Sequence, residues 1–511
     1  MSSDAAQVTA NRGISSYAVV FGGMLLQNLL LFALSIVLAS LFGTSEEMDA
    51  FRTAFTPPLM LAAVFAGTGG PVLMTLLARR ETSSAPGTAT LILLLLTGVS
   101  LACAFLGFYD SELVMRGLHP WFDPKRQAES SVLFHILVWM LPLNTIIGLS
   151  QAVLNSSLNF VVPAISGVVG PIATLAAVWW LAPEWGIAGV AWATVWGAVA
   201  SVVCQLPWLI RQLAWPAAGQ LHHAWQQVGI AWPLLLGMGA LKLDPLVDQF
   251  LGSSLEPGRI SQLDYAGRIL TPFLMLSSGT LSTVTFPRIA RTAVAGGAPL
   301  RAEATLAFRT LMSLCVPAFV VLTTFAHPLV QDLLQRRNFT AADTLAVSQL
   351  VRVLSAMLLG AALSEVCSKM LYAFRDSLTP NLILTCCLLA GFGLKAVLVG
   401  PWGILGIAAV TSGVFVAVGS MQLWFAARRI GPMGTRNLVV HLLRCVIASA
   451  FAAAVGAALL QLPIPFPSVF GLTLGGILYF AVLVFSDSET RAFVKRLRGS
   501  RESRVESPEP E

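Results

Sequence analysis

Charge is what this sequence has least of. Lys, Arg, Asp and Glu together make 11% of its 511 residues, where a soluble domain carries about a quarter, and that shortfall excludes an ordinary water-facing surface. Loops long enough to build a soluble core are also missing. Residues 1–16 are polar and lack the basic region, short apolar core and small-residue cleavage site of a signal peptide, so the first helix is expected to direct insertion. The seven cysteines, Cys103, Cys204, Cys315, Cys367, Cys386, Cys387 and Cys445, all fall inside apolar segments without metal-ligand spacing. A disulfide framework and a metal site are thereby excluded, and the cysteines read as small packing residues.

What is there is apolar length. Hydrophobic residues make 56% of the chain, and they gather into fourteen segments near 17–42, 52–78, 88–109, 131–154, 160–182, 186–210, 228–252, 263–287, 305–331, 345–373, 380–400, 403–427, 438–461 and 466–486. Each approaches or exceeds the roughly 20 residues that a helix needs to cross a bilayer.

The second half repeats the first at an offset of about 216 residues. Trp185, Gly186, Ile187, Gly189 and Ala191 match Trp402, Gly403, Ile404, Gly406 and Ala408, and Asp49/Asp264, Pro71/Pro287, Leu154/Leu371 and Pro163/Pro380 keep nearly the same register. Two homologous repeats of six helices follow. An even number of crossings gives both copies one orientation, so their pseudo-twofold runs along the membrane normal and the two lobes enclose a central cavity. The expected fold is an all-α integral membrane protein of about fourteen transmembrane helices, in two pseudo-symmetric lobes of six plus two C-terminal helices. Its expected divisions are a cytoplasmic segment 1–16, an N-lobe 17–213, a C-lobe 228–428, helices 13 and 14 over 438–486, and a charged, disordered tail 487–511 with an amphipathic stretch at Phe493 to Leu497.

Orientation follows from Lys and Arg, which cytoplasmic loops retain. A cytoplasmic N-terminus places Arg79, Arg80, Arg211, Arg288, Arg291, Arg301, Arg375, Arg428, Arg429 and Arg436 inside, and the tail agrees with Arg491, Lys495, Arg496, Arg498, Arg501 and Arg504. Opposite loops are acidic or neutral, as at Glu46, Glu47, Asp49 and Glu184, diluted by Lys125, Arg126, Arg336 and Arg337. Both ends are therefore expected inside, and the net charge of +6 needs no nucleic-acid partner.

Polar groups inside hydrocarbon mark candidate function, because each is costly unless paired or wet. The seventh segment carries Lys242, Asp244 and Asp248, of which the two carboxylates, at i and i+4, share a face. Arg268 follows in the eighth segment. Either these form a structural ion pair between adjacent helices or they wall a cavity, offering a cation to an anionic substrate and carboxylates to a coupling cation. Glu365 and Lys369, also at i and i+4, read as an intrahelical pair. Lys395 has no evident partner and is expected to snorkel toward the surface beside Pro401 or to face the cavity. His135 reads as a packed histidine, while Pro142, Pro233, Pro245, Pro272 and Pro317 are expected to interrupt helices.

Four stretches bear a family likeness: Leu41, Phe42, Gly43, Asp49, Ala50 and Phe51; Leu251, Gly252, Ser253, Gly258, Ser261, Leu263, Tyr265, Ala266 and Arg268; Arg336, Phe339, Thr340, Ala341, Asp343 and Thr344; and Tyr372, Ala373, Arg375, Asp376, Thr379 and Pro380. Together they resemble the MurJ/MviN lipid II flippases of the multidrug/oligosaccharidyl-lipid/polysaccharide exporter superfamily. The resemblance implies two lobes, alternating access, the bacterial inner membrane, and a polyprenyl-pyrophosphate-linked saccharide carried outward for cell-wall synthesis. Membrane lipids and the cell-wall or polysaccharide synthesis machinery are the further partners it suggests. Membrane potential or a monovalent cation would drive it, with no cofactor.

This chain departs from the pattern the resemblance implies. Where the family's first two helices carry basic residues, it has Gln27, Asn28, Leu61, Ala62 and Ala63, and Gly67 stands where Glu is usual. Arg268 is the cavity arginine that carries over; with Arg52, its repeat counterpart, and Asp49 one turn before Arg52, it completes the expected substrate-binding set. Family sodium-site positions on helix 11 hold Gly391 and Lys395, whose ammonium would stand in for the cation. Three other readings stay open: a flippase for an exopolysaccharide or O-antigen unit, a cation-coupled drug exporter using Asp244 and Asp248, and a non-transporting membrane scaffold.

Overall fold

A computed structural model describes residues 2–79, 85–216, 220, 226, 232–295, 297–431, 435–460 and 467–486. These form α1 (Ser2–Phe42), α2 (Glu46–Arg79), α3 (Ala85–Tyr109), α4 (Ser111–Leu118), α5 (Pro124–Leu137), α6 (Met140–Ser156), α7 (Val161–Ile210), α8 (Trp232–Gly252), α9 (Arg259–Ala295), α10 (Gly297–Thr324), α11 (Ala326–Leu334), α12 (Ala341–Ala373), α13 (Leu378–Ile430), α14 (Thr435–Leu459) and α15 (Pro467–Ser486). No strand occurs among the described residues. Arg80 and the tail 487–511, with its Phe493 to Leu497 stretch, lie outside them.

Nine stretches among the described residues are long and apolar enough to cross a membrane. Two are far longer than one crossing needs: α7 has 50 residues and α13 has 53, about 75 to 80 Å of helix against a hydrocarbon core of about 30 Å. Each is a hairpin of two spans. In α7 the Ser166 and Ser201 hydroxyls each donate to the other's carbonyl oxygen at 3.2 Å, which requires antiparallel halves. The reversals fall at Gly186 (φ 55°, ψ −134°) and Gly403 (φ 57°, ψ −141°), the central glycines of the repeated Trp-Gly-Ile motif. This backbone region is essentially reserved to glycine. A Cβ at either position would meet nothing within 4 Å, so it is conformation, not crowding, that selects the residue.

A second repeated feature lies inside the hairpins. Gln205 and Gln422, 217 apart like the glycines, are each 1% exposed. Gln205 Nε2 donates to Ser166 Oγ at 2.6 Å, and Gln422 Nε2 donates to the Pro380 carbonyl at 3.1 Å while its Oε1 accepts from Ser364 and Ser368 at 2.9 and 3.0 Å. Buried amides of this kind hold helices together where apolar burial gives no preference for protein over lipid.

The helices fall into two compact units. One comprises residues 1–265, 336–339 and 388–404, the other 266–335, 340–387 and 405–511. In the first, α2 packs against α3, α5, α6 and α8, and Leu73, Ile92, Leu149 and Val153 close its core. In the second, α10 packs against α12 and α14, and α14 against α15. Here Val316, Cys445, Ala448 and Tyr479 cluster, and the Tyr479 hydroxyl donates to the Ser313 carbonyl at 2.9 Å. Large apolar side chains such as Leu106, Trp179, Trp180 and Val397 are exposed on the spans, as a lipid-facing surface requires.

Pro142 interrupts a helix as expected: the fourth crossing breaks at Val138–Trp139, between α5 and α6, at the carbonyl four residues earlier that a proline cannot bond. Pro233 lies in the first turn of α8, and α8, α9 and α10 run on through Pro245, Pro272 and Pro317, so these four do not interrupt their helices. His135, expected as a packed and hydrogen-bonded histidine, packs on Phe108 with ring centroids 3.6 Å apart.

Candidate functional site

Asp244 and Asp248 sit one turn apart on α8, and the first half of α13 brings Lys395 to both. Its Nζ lies 2.6 Å from Asp244 Oδ1 and 2.6 Å from Asp248 Oδ1. At 1% exposure the lysine does not snorkel, which corrects that expectation, and it has the partners that the sequence did not reveal. Its head has two carboxylates to satisfy, and reaching solvent would leave them uncompensated in a low dielectric. The same geometry assigns the carboxylates' partner to Lys395 rather than to a cation on the following helix. Lys242 is half-buried earlier on α8.

Asp49 and Arg52 form a separate joint. Asp49 is 1% exposed, and its Oδ2 and Oδ1 accept the backbone N–H groups of Gly258 and Ser261 at 2.6 and 2.7 Å. It thereby caps the first turn of α9, where unsatisfied donors and the helix dipole both favour an anion. Arg52 Nε stands 3.0 Å from Asp264 Oδ2, and its guanidinium lies 5.7 and 5.8 Å from the Phe51 and Tyr265 rings. Gln249 Nε2 donates to Thr56 Oγ1 at 2.6 Å, and the Tyr265 hydroxyl donates to the Gly43 carbonyl at 3.2 Å. Asp49 and Arg52, expected among the substrate-binding residues, are therefore committed to holding α2 against the α8–α9 segment. Both side chains are buried in this joint.

Arg268 lies one turn beyond Asp264 on α9 and is half-buried. Glu365 and Lys369 pair within α12 at 2.7 Å, as their spacing predicts.

The stretches that carry the family likeness turn out to be joints of this kind. The Asn338 amide donates to the Leu41 carbonyl, and Phe339 packs edge-on against Tyr265 with centroids 5.7 Å apart. Thr340 and Asp343 form a capping box at the start of α12. Asp376 accepts the Thr379 N–H at 3.0 Å and Arg429 at 2.7 Å; the Thr379 N–H foremost holds its carboxyl below the usual carboxylate range. Two of the basic residues that dilute the charge asymmetry are paired, Lys125 with Glu46 at 3.2 Å and Arg126 with Asp123.

His119, in the turn after α4, escaped the sequence reading because a lone loop histidine carries no motif. It is buried against Phe122, ring centroids 5.2 Å apart. Burial pushes its imidazole down from 6.5 to about 4, partly opposed by the Gln249 and Thr53 carbonyls. The unfolded chain therefore takes up a proton that the folded one refuses. Stability should be flat above pH 6.5 and fall as pH drops from 6.5 toward 4, by up to about 3 kcal/mol. Thermal unfolding in detergent across that window should show the loss, and His119→Phe should flatten it; an unchanged slope in the variant would assign the effect elsewhere.

Comparison with known proteins agrees with the resemblance. The family model described as "Lipid II flippase MurJ" matches residues 38–486. A probable lipid II flippase MurJ from Vibrio cholerae is 26% identical over 433 residues, covering 80% of this chain and 81% of that protein. Among solved structures, a lipid II flippase MurJ in an inward closed conformation aligns with a TM-score of 0.79 at 18% identity, over 92% of this chain and 98% of its own. An inward-facing multidrug resistance MATE family transporter of the MOP superfamily aligns at 0.65 and 16% identity, over 79% and 94%. These two structures share this chain's fold.

Proposed function

The chain belongs to the lipid II flippase MurJ family, and from this we infer that it moves lipid II across the bacterial inner membrane, from the cytoplasmic to the outer leaflet, by alternating access. It is a transporter and not an enzyme. The observation that carries the reading is the family match, which runs through nearly the whole chain from residue 38 to residue 486. Flipping needs no covalent chemistry: the polyprenyl tail can stay in lipid while the pyrophosphate-linked head group crosses.

A pyrophosphate entering a low-dielectric path requires cations, and guanidinium offers a planar, two-pronged match. Arg268 supplies it in this reading. Asp244 and Asp248, which a cation-coupled drug exporter would need open, hold Lys395 instead, and this argues against efflux of organic cations. Both termini are cytoplasmic in this account; the Lys and Arg excess of the loops on the N-terminal side, from Arg79 to Arg436, supports that orientation.

A flippase for another polyprenyl-linked saccharide is favoured by one feature, the apolar residues Leu61, Ala62 and Ala63 on α2 where the related pattern is basic. Expression in a strain depleted of its own lipid II flippase separates the two. Restored growth is the expected result. Failure to grow with the protein present in the membrane would overturn lipid II as the cargo.

A further inference from the structure

We propose that Lys395, Asp244 and Asp248 form a proton-binding site whose loading is coupled to transport. The inference rests on the flippase reading for its coupling but not for its chemistry. One ammonium lies at 2.6 Å from each of two carboxylates, so the triad holds one positive and two negative charges.

The surplus negative charge has no second neutralising group beside it. On α8, Lys242 precedes Asp244 by two residues, a spacing that turns it to another side of the helix. From α2, Arg52 is engaged by Asp264 at 3.0 Å and Asp49 by the α9 backbone. On α13, Lys395 is the sole Lys, Arg, Asp or Glu between residues 388 and 404. Among the described residues, no cation other than Lys395 is within ion-pair distance of Asp244 or Asp248.

The two carboxylates keep only 16% and 15% of their side-chain exposure, and the ordinary remedy for an uncompensated charge so enclosed is a change of protonation. A proton adds to one carboxylate oxygen, converting it to a carboxylic acid, and leaves one ammonium against one carboxylate. The lysine then keeps one charge-assisted hydrogen bond and exchanges the other for a weaker one, which relaxes α13 against α8. A metal cation is excluded by position, because Nζ already stands where the two Oδ1 atoms would hold one. The tethered ammonium leaves the remaining vacancy of charge, and not of space, to a proton.

Two measurements test this. Infrared difference spectra of the purified full-length protein, titrated in detergent, should show a carboxylic-acid band that appears as pH falls and is missing in Asp248→Asn. In proteoliposomes loaded with lipid II, a pH gradient should change the flipping rate by at least about fivefold, while replacing sodium by choline should not. Lys395→Gln removes the tethered cation and should make flipping sodium-dependent. Should that variant fail to fold, Asp248→Asn, which leaves a balanced pair, should flip with no dependence on pH.

A band unchanged in Asp248→Asn, a rate indifferent to pH in the wild type, or a wild-type requirement for sodium would each overturn the proposal. Because the infrared titration involves no lipid II, a proton band without flipping would sink the flippase reading and leave the site standing. Flipping without the band would do the reverse.

Discussion

Asp49→Ala is expected to destabilise the protein by about 3–5 kcal/mol, the range for removing one partner of a buried charged contact. The carboxylate accepts two backbone N–H groups, from Gly258 and Ser261. Hydrogen bonds to a charged acceptor contribute about 1.5–3 kcal/mol each, and donors left buried without a partner add a penalty of their own. Asn at the same position keeps the shape and one acceptor oxygen, so it should lose about half as much. Unfolding temperature in detergent and protease resistance of the 253–258 loop are the measurements. An alanine variant that melts with the wild type would refute the capping role.

The second large effect concerns activity. Arg268→Lys should insert and fold normally yet flip lipid II about 10- to 100-fold more slowly, because exchanging a bidentate contact for a single one forfeits about 1.5–3 kcal/mol. Arg268→Ala should be worse, since the charge goes as well. Rates must be compared per molecule in the membrane. A lysine variant at wild-type speed would leave Arg268 as a general cation and remove the argument from its planar fork.

How far the structure could be read from the chain depended on distance along it. The crossings were legible because hydropathy is a local property. The repeat was legible because Trp185–Gly186 and Trp402–Gly403 preserve a backbone conformation that tolerates one residue type. Lys395 was misjudged because its partners are 147 and 151 residues away, and nothing local to α13 points to them. The partners of Asp49, 209 and 212 residues distant, were out of view for the same reason. A polar side chain in a span reveals a need for a partner without naming it. Gln205 and Gln422 could have been found by sliding the two halves over one another and asking which polar residues recur.

The family-like stretches show a further confusion of roles. Leu41–Phe51, Gly258–Arg268 and Asp376–Pro380 look functional in sequence because they are polar and distinctive, but in space most of their side chains cap helices and brace turns. Such positions tolerate little change whatever the cargo, so likeness there speaks to architecture more than to substrate.

The one-glycine reversals within α7 and α13 have a practical corollary for anyone wishing to visualise this small, loop-poor protein. A fluorescent tag, an epitope or a rigid fusion partner needs slack backbone at its graft point, and positions 186 and 403 offer none. Each insertion there would have to pry apart two hydrogen-bonded spans before it could be accommodated.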